Sequence, residues 1–99
     1  MNIAKSADQN GIVLSPEGRV DTLSAPQLQA AILQAFQSEK KVTLDFSGVP
    51  YISSAGLRAL LIGQKTATAK GGSMMLRNVS EMVMNVLDMS GFSSILNIV

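Results

Sequence analysis

Apolar positions follow two spacings in this chain, alternating in some stretches and recurring every third or fourth residue in others. Residues 2 to 17 alternate loosely and are broken by Asp8-Gln9-Asn10-Gly11, whose Asn-Gly step supplies the positive φ values that a tight hairpin needs. Two antiparallel strands are therefore predicted, about Ile3 to Ala7 and Ile12 to Ser15. The period then changes: Leu28, Ala31, Ile32, Ala35 and Phe36 fall at i, i+3, i+4, i+7 and i+8, the buried stripe of an amphipathic helix. Ser24 with Gln27 three residues later forms a capping-box pattern, and Pro26 lies in the first turn, where its missing N–H does no harm.

Alternation returns in "KVTLDFSGV", where Val42, Leu44 and Phe46 interleave with Thr43 and Asp45, so a strand is predicted up to Pro50 with Asp45 in its middle. A second helix starts near Ser53 or Ser54, with Leu57, Leu60 and Leu61 on one side and Arg58 and Lys65 on the other, and stops at Lys70-Gly71-Gly72. The strand "SMMLRN" follows. Asn78 and Ser80 are rival caps for a third helix that buries Val79, Val83, Val86 and Leu87 and ends at Gly91. The tail "SSILNIV" reads as a short final strand or a loose apolar segment. The order is β β α β α β α (β), an α/β fold with an N-terminal hairpin, three main helices and a mixed sheet of four or five strands, its strand-helix-strand crossings parallel.

Composition restricts what such a fold can do. A chain of 99 residues, 46% apolar and 15% charged, with no repeat or linker, is expected to be one packed domain acting largely through one surface. Its net charge of +1 is scattered, its longest basic run is Lys40-Lys41, and it has four aromatic residues, which is too little for a nucleic-acid groove or a base-stacking platform. Without cysteine there are no disulfides, thiolate metal sites or thiol nucleophiles. Without histidine the usual general base, the Ser-His-Asp arrangement and most transition-metal sites go as well, so neither a metal, a cofactor nor an enzymatic activity is expected. The N-terminus lacks the apolar core of a signal peptide and no run approaches the roughly 18 apolar residues of a membrane span, so a cytoplasmic protein without a membrane partner is expected.

Chemistry in an α/β sheet collects where strands end and the next helices begin. "YISSAGLR", residues 51 to 58, occupies such a point with two adjacent serines. A helix start leaves backbone N–H groups unpartnered and carries partial positive charge, so one serine oxygen suffices as a cap. If Ser53 is that cap, Ser54 stands at the first helical position with an uncommitted hydroxyl. Gly56 either lets the helix approach the sheet or clears space beside the serine. Among the other candidates, Arg58 is a solvated helix residue or a contact for a partner or a phosphate. Met74, Met75, Met82, Met84 and Met89 fill gaps in the core, or, for Met82 and Met84, form an adaptable surface. Asp45 lacks the clustered acids of a phosphoryl-accepting receiver aspartate.

"LDFSGVPYISSAGLRALL", preceded by "GRVDTLSAPQL" and followed by "GGSMMLRNVSEMVMNVLDMSGF", resembles a STAS domain of the bacterial anti-sigma factor antagonist type, over nearly the whole of residues 1 to 99. That family commonly reads Asp-Ser-Ser-Gly-Leu at the strand-to-helix turn, and the serine two before the glycine accepts phosphate from a partner kinase, which implies Ser54 here. The family's Gly-x-Leu/Val-Asp element matches Gly18 to Asp21, whose acid lies near the partner surface. Two positions depart from the pattern: the family Asp before the acceptor is Ser53, and the second family Ser is Ala55. The resemblance implies a partner switch and no enzyme. The unmodified surface of Asp21, Ser53, Ser54, Ala55, Gly56 and Arg58 docks on an anti-sigma factor serine kinase of the GHKL type. Phosphate at Ser54 releases it, and a PP2C-like phosphatase resets it. The same domain type also serves as a non-phosphorylated subunit of lipid-transport ABC assemblies, for which stable co-purification with an ATPase and no kinase labelling are expected.

Overall fold

The computed structural model describes residues 1–9 and 11–99, so the Asn10 half of the expected Asn-Gly turn lies outside the described residues. Strands β1 (Asn2–Asp8), β2 (Gly11–Glu17), β3 (Lys41–Asp45), β4 (Ser73–Arg77) and β5 (Asn97–Ile98) alternate, after the hairpin, with helices α1 (Ala25–Ser38), α2 (Ser54–Ala69) and α3 (Glu81–Met89), and a short 3₁₀ turn covers Phe92–Ser94. The sheet order is β1-β2-β3-β4-β5, with β1 antiparallel to β2 and every other pair parallel. This is the expected mixed sheet with a hairpin and three helices. The apolar tail resolves into β5, which makes the sheet five-stranded.

Register explains the burial. Ile12, Val42 and Met74 lie in one cross-strand row and Leu14, Leu44 and Leu76 in another, and both rows share a core with Leu28, Ile32 and Phe36 of α1, Leu57 and Leu60 of α2, and Val83 and Leu87 of α3. Burying a Leu or Phe side chain contributes about 1.5–3 kcal/mol, so these stripes hold the helices in place. α2 approaches the sheet on small residues, Gly56, Ala59, Gly63 and Ala67, all buried, while Leu61 is only half-buried and not on the core stripe expected for it. The third-helix stripe is likewise narrower than expected, with Val79 and Val86 half-buried.

Three local expectations are corrected. The Ser24–Gln27 capping box does not form: Ser24 makes no side-chain cap bond to α1. Its hydroxyl accepts from the Asp21 amide at 3.0 Å and donates to the Arg19 carbonyl at 2.7 Å, and the Gln27 side chain is spent on the Met1 backbone. Second, β2 runs through Pro16 to Glu17; its parallel ladder with β3 ends at Leu14, so the missing proline N–H breaks no bond there. Third, β3 ends at Asp45 rather than running on to Pro50, because the Asp45 carboxylate accepts the Ser47 amide at 3.0 Å and turns the chain. Of the rival caps for α3, Ser80 is used, accepting from the Val83 amide at 3.2 Å, while Asn78 takes a positive φ of 57° and donates to Asp45.

Asp45 is thus a lock at the strand ends and not a mid-strand residue. Arg77 Nε lies 3.3 Å from Asp45 Oδ2, and its Nη1 lies 3.6 Å from Asp8 Oδ2. Arg77 therefore spans the face opposite the helices, across the row holding the buried Val13 and Thr43. Burial pushes the Asp45 carboxyl up, but hydrogen bonds from the Ser47 amide, Asn78 and Arg77 outweigh it and hold the group below the usual carboxylate range. A depressed folded pKa gives stability that is complete above the unfolded value near 4 and is lost as pH falls through the folded value. Asp45→Ala is expected to cost about 1–2 kcal/mol at neutral pH, and urea melts should show the gap from wild type narrowing as the pH falls below the unfolded carboxylate value near 4.

Candidate functional site

Beyond the regular ladder, the segments after β2 and after β3 continue side by side. Gly18 bends the first at φ 111°, and its amide donates to the Gly48 carbonyl at 2.9 Å. The Val20 amide donates to Tyr51 O at 2.9 Å and the Ser53 amide to Val20 O at 2.8 Å, with Val20 paired to Ile52 in a parallel bridge. Both Val20 and Ile52 are fully buried. This pairing carries Asp21 alongside Ser53, two residues that sequence separation alone would not bring together.

Ser53 caps α2: it has extended backbone, φ −99° and ψ 178°, and its hydroxyl accepts from the Gly56 amide at 3.5 Å. Ser54 is the first helical residue and is exposed, and its hydroxyl makes no hydrogen bond among the described residues. The expected division between the two serines is what the geometry shows. Ala55 is half-buried and Gly56 buried, and Arg58 is exposed one turn beyond Ser54. A Cβ built on Gly56 would stand 2.5 Å from Ile52 Cγ1 and 2.7 Å from Val20 Cγ1, so the glycine is required for helix approach.

Asp21 organises the facing loop. Its Oδ1 accepts from the Leu23 amide at 3.0 Å and the Ser24 amide at 3.1 Å. The Ser24 amide bond is the strongest influence holding its carboxyl below the usual range, opposed by partial burial and assisted by the Leu23 amide, the Ser24 hydroxyl and the charge of Arg19. Oδ2 takes no part in that turn.

Sequence reasoning missed several neighbours. Arg19 stacks over the Tyr51 ring at 4.5 Å from its centroid, tying the two loops at their rim. Leu23 is 91% exposed, and its signal was present: five residues before Leu28, it falls off the α1 stripe. Between α1 and α2 runs an open, largely apolar groove of about 430 Å³, lined by Thr22, Pro26, Gln29, Leu33, Ala55 and Arg58. Of the methionines, Met74 is buried and Met84 half-buried, whereas Met82 and Met89 are exposed on α3.

The exposed Ser54 hydroxyl has no activating partner beside it among the described residues. Ser54 has no imidazole or thiol to deprotonate it, and the carboxylate on the facing loop, that of Asp21, is engaged in its own turn. Among the described residues no three His, Cys, Asp or Glu side chains gather as a metal site would require, and no helix is long and apolar enough to cross a membrane. An exposed alcohol at a helix start and an exposed leucine on the facing loop are presented at this end of the sheet.

The STAS domain family model matches residues 2–99. The Bordetella bronchiseptica protein BtrV, provisionally named an anti-sigma factor antagonist, is 38% identical over 80 residues, covering 80% of this chain and 69% of BtrV. The anti-sigma-B factor antagonist of Bacillus subtilis is 26% identical over 98 residues, covering 99% of this chain and 90% of its own. In structure, the anti-sigma factor antagonist SpoIIAA superposes in its unphosphorylated form with TM-score 0.75 at 19% identity (99% of this chain, 87% of that one). The phosphorylated form of the Bacillus protein gives 0.74 at 21% identity (99% and 91%). With a family match along almost its whole length and a relative at this identity, the chain belongs to the STAS domain family, among relatives named as anti-sigma factor antagonists.

Proposed function

We propose that this protein is a partner-switching anti-sigma factor antagonist whose phosphoacceptor is Ser54. The observation that carries the reading is the split between the serines: Ser53 spends its oxygen on the helix end, and Ser54 presents an exposed hydroxyl without a partner among the described residues. Support also comes from SpoIIAA, a protein of the same fold known in phosphorylated and unphosphorylated forms.

In the unmodified state, Ser54 with Ala55, Arg58 and the Asp21–Leu23 loop docks on a GHKL-type anti-sigma factor kinase, and the kinase releases its target. The exposed Leu23 and the neighbouring groove supply apolar area, while Asp21 and Arg58 set the register. Transfer follows in the complex: Ser54 Oγ attacks the γ-phosphorus of ATP held by the kinase, the bond to ADP breaks, and the hydroxyl proton passes to a base of the kinase. Phosphate adds about 1.5–2 negative charges. The α2 terminus stabilises them within this chain, but an interface shaped around a neutral hydroxyl must either strip their water or repel them. A PP2C-like phosphatase then hydrolyses the phosphoserine.

Mixing the protein with a GHKL kinase from the same genome and ADP should give a stable complex by size-exclusion chromatography, and ATP should dissolve it. A complex indifferent to ATP overturns the reading. Asp21 separates structure from recognition: Asp21→Asn keeps the turn to Leu23 and Ser24 and should leave the melting temperature within a few degrees while weakening the complex by about tenfold. Asp21→Ala should lose the turn as well. Equal binding by wild type and Asp21→Asn would remove the acid from the interface.

A further inference from the structure

Arg58 lies near the end of α2 that disfavours a cation. The positive end of the α2 dipole lies at its start, yet the first turn holds no acid and the arginine follows in the next. α3, by contrast, opens on Glu81. Arg58 is exposed, and the salt bridges among the described residues are both made by Arg77. Arg58 lines the groove beside Ala55, and because long side chains in helices lean back over the preceding turn, Ser54, four residues before it, lies within its reach.

We infer that Arg58 is the intramolecular counter-ion of the phosphorylated protein: its guanidinium closes on the Ser54 phosphate and is thereby withdrawn from the partner surface. The inference rests on the proposal that Ser54 is modified, and it changes what the switch consists of. The partner meets a new anion and also loses a cation it had been using. The other charged groups nearby are committed elsewhere: on the facing loop Arg19 stacks on Tyr51 and Asp21 holds the Leu23 and Ser24 amides, while α1 offers uncharged Pro26 and Gln29 across the groove. A planar guanidinium can grip a phosphate through two parallel hydrogen bonds, which a lysine ammonium cannot.

Phosphoserine inserted at position 54 during translation gives the modified protein without any kinase, and its ³¹P resonance can be titrated against pH. Pairing favours the dianion, so the second phosphate pKa of wild type is expected about half a pH unit below that of Arg58→Gln, with Arg58→Lys in between and the gap closing near 1 M salt. Superimposable titrations of wild type and Arg58→Gln overturn the inference. So does a variant that shifts only the melting temperature, since that is the mark of a merely structural arginine. Because no kinase takes part, the two proposals fail separately: a partner kinase that leaves Ser54 unlabelled sinks the signalling reading, and labelled Ser54 with superimposable titrations sinks the counter-ion alone.

Discussion

Phosphorylated at Ser54, the protein is expected to bind its kinase partner about 10²- to 10⁴-fold more weakly than the unmodified form, because taking an added charge out of water at an interface that offers it no partner costs roughly 3–5 kcal/mol. The site explains why the loss falls on binding and not on folding. Ser54 is exposed at the first position of α2, so the added oxygens face solvent and the helix end, and no core residue has to move. Ser54→Ala is expected to retain full affinity in the presence of ATP. Ser54→Asp, with one charge in place of nearly two and a shorter reach, is expected to lose about tenfold. Titration calorimetry measures all three, with ADP on the kinase for the phosphorylated and Ser54→Asp proteins and ATP for Ser54→Ala. An affinity for the phosphorylated form within threefold of wild type contradicts the electrostatic mechanism.

Gly56→Ala is expected to lower stability by about 2 kcal/mol, or roughly 10 °C in melting temperature for a chain of this size. Two effects oppose each other. Alanine is the better helix former by up to ~1 kcal/mol. Against that, its methyl would press at 2.5 Å and 2.7 Å on Ile52 Cγ1 and Val20 Cγ1, atoms of stiff, fully buried β-branched side chains with little room to turn away. Overpacking of this kind typically costs 1–3 kcal/mol, and with contacts on two sides the upper end of that range applies here. The damage also reaches the surface. Val20 carries the Asp21 loop and Ile52 precedes the Ser53 cap, so partner binding is expected to fall even at temperatures where the variant stays folded. A melting temperature equal to or above wild type would show that the Val20–Ile52 layer yields and does not fix the site.

How far the sequence disclosed this architecture depends on how local each feature is. The α1 stripe of Leu28, Ala31, Ile32, Ala35 and Phe36 and the Ser53 cap are written within a few residues, and both are realised in the structure, with Ala31 half-buried at the edge of the stripe. The Ser24–Gln27 pattern is equally local but is outcompeted: Asp21, three residues upstream, captures the Leu23 and Ser24 amides, and Met1, far away in sequence, takes the Gln27 side chain. Asp45 was legible as a strand residue but not as the end of one, because the end is made by its bond to Ser47 and by Arg77, 32 residues on. In the site, Ser53, Ser54 and Gly56 lie within four residues and could be read together. The Arg19–Tyr51 stack and the groove beside Leu33 arise only when two loops and two helices meet, so no spacing could show them. Leu23 is the intermediate case: its misfit with the helical period was visible, but its exposure needed the loop geometry.

The most direct test of the central claim, that one serine hydroxyl is held for the helix and its neighbour left for a phosphate, is tandem mass spectrometry of the protein after incubation with its GHKL kinase and ATP. A single phosphate on Ser54, none on Ser53, and no incorporation into Ser54→Ala is the expected result. Phosphate on Ser53, or labelling of Ser54→Ala to the wild-type level, contradicts it.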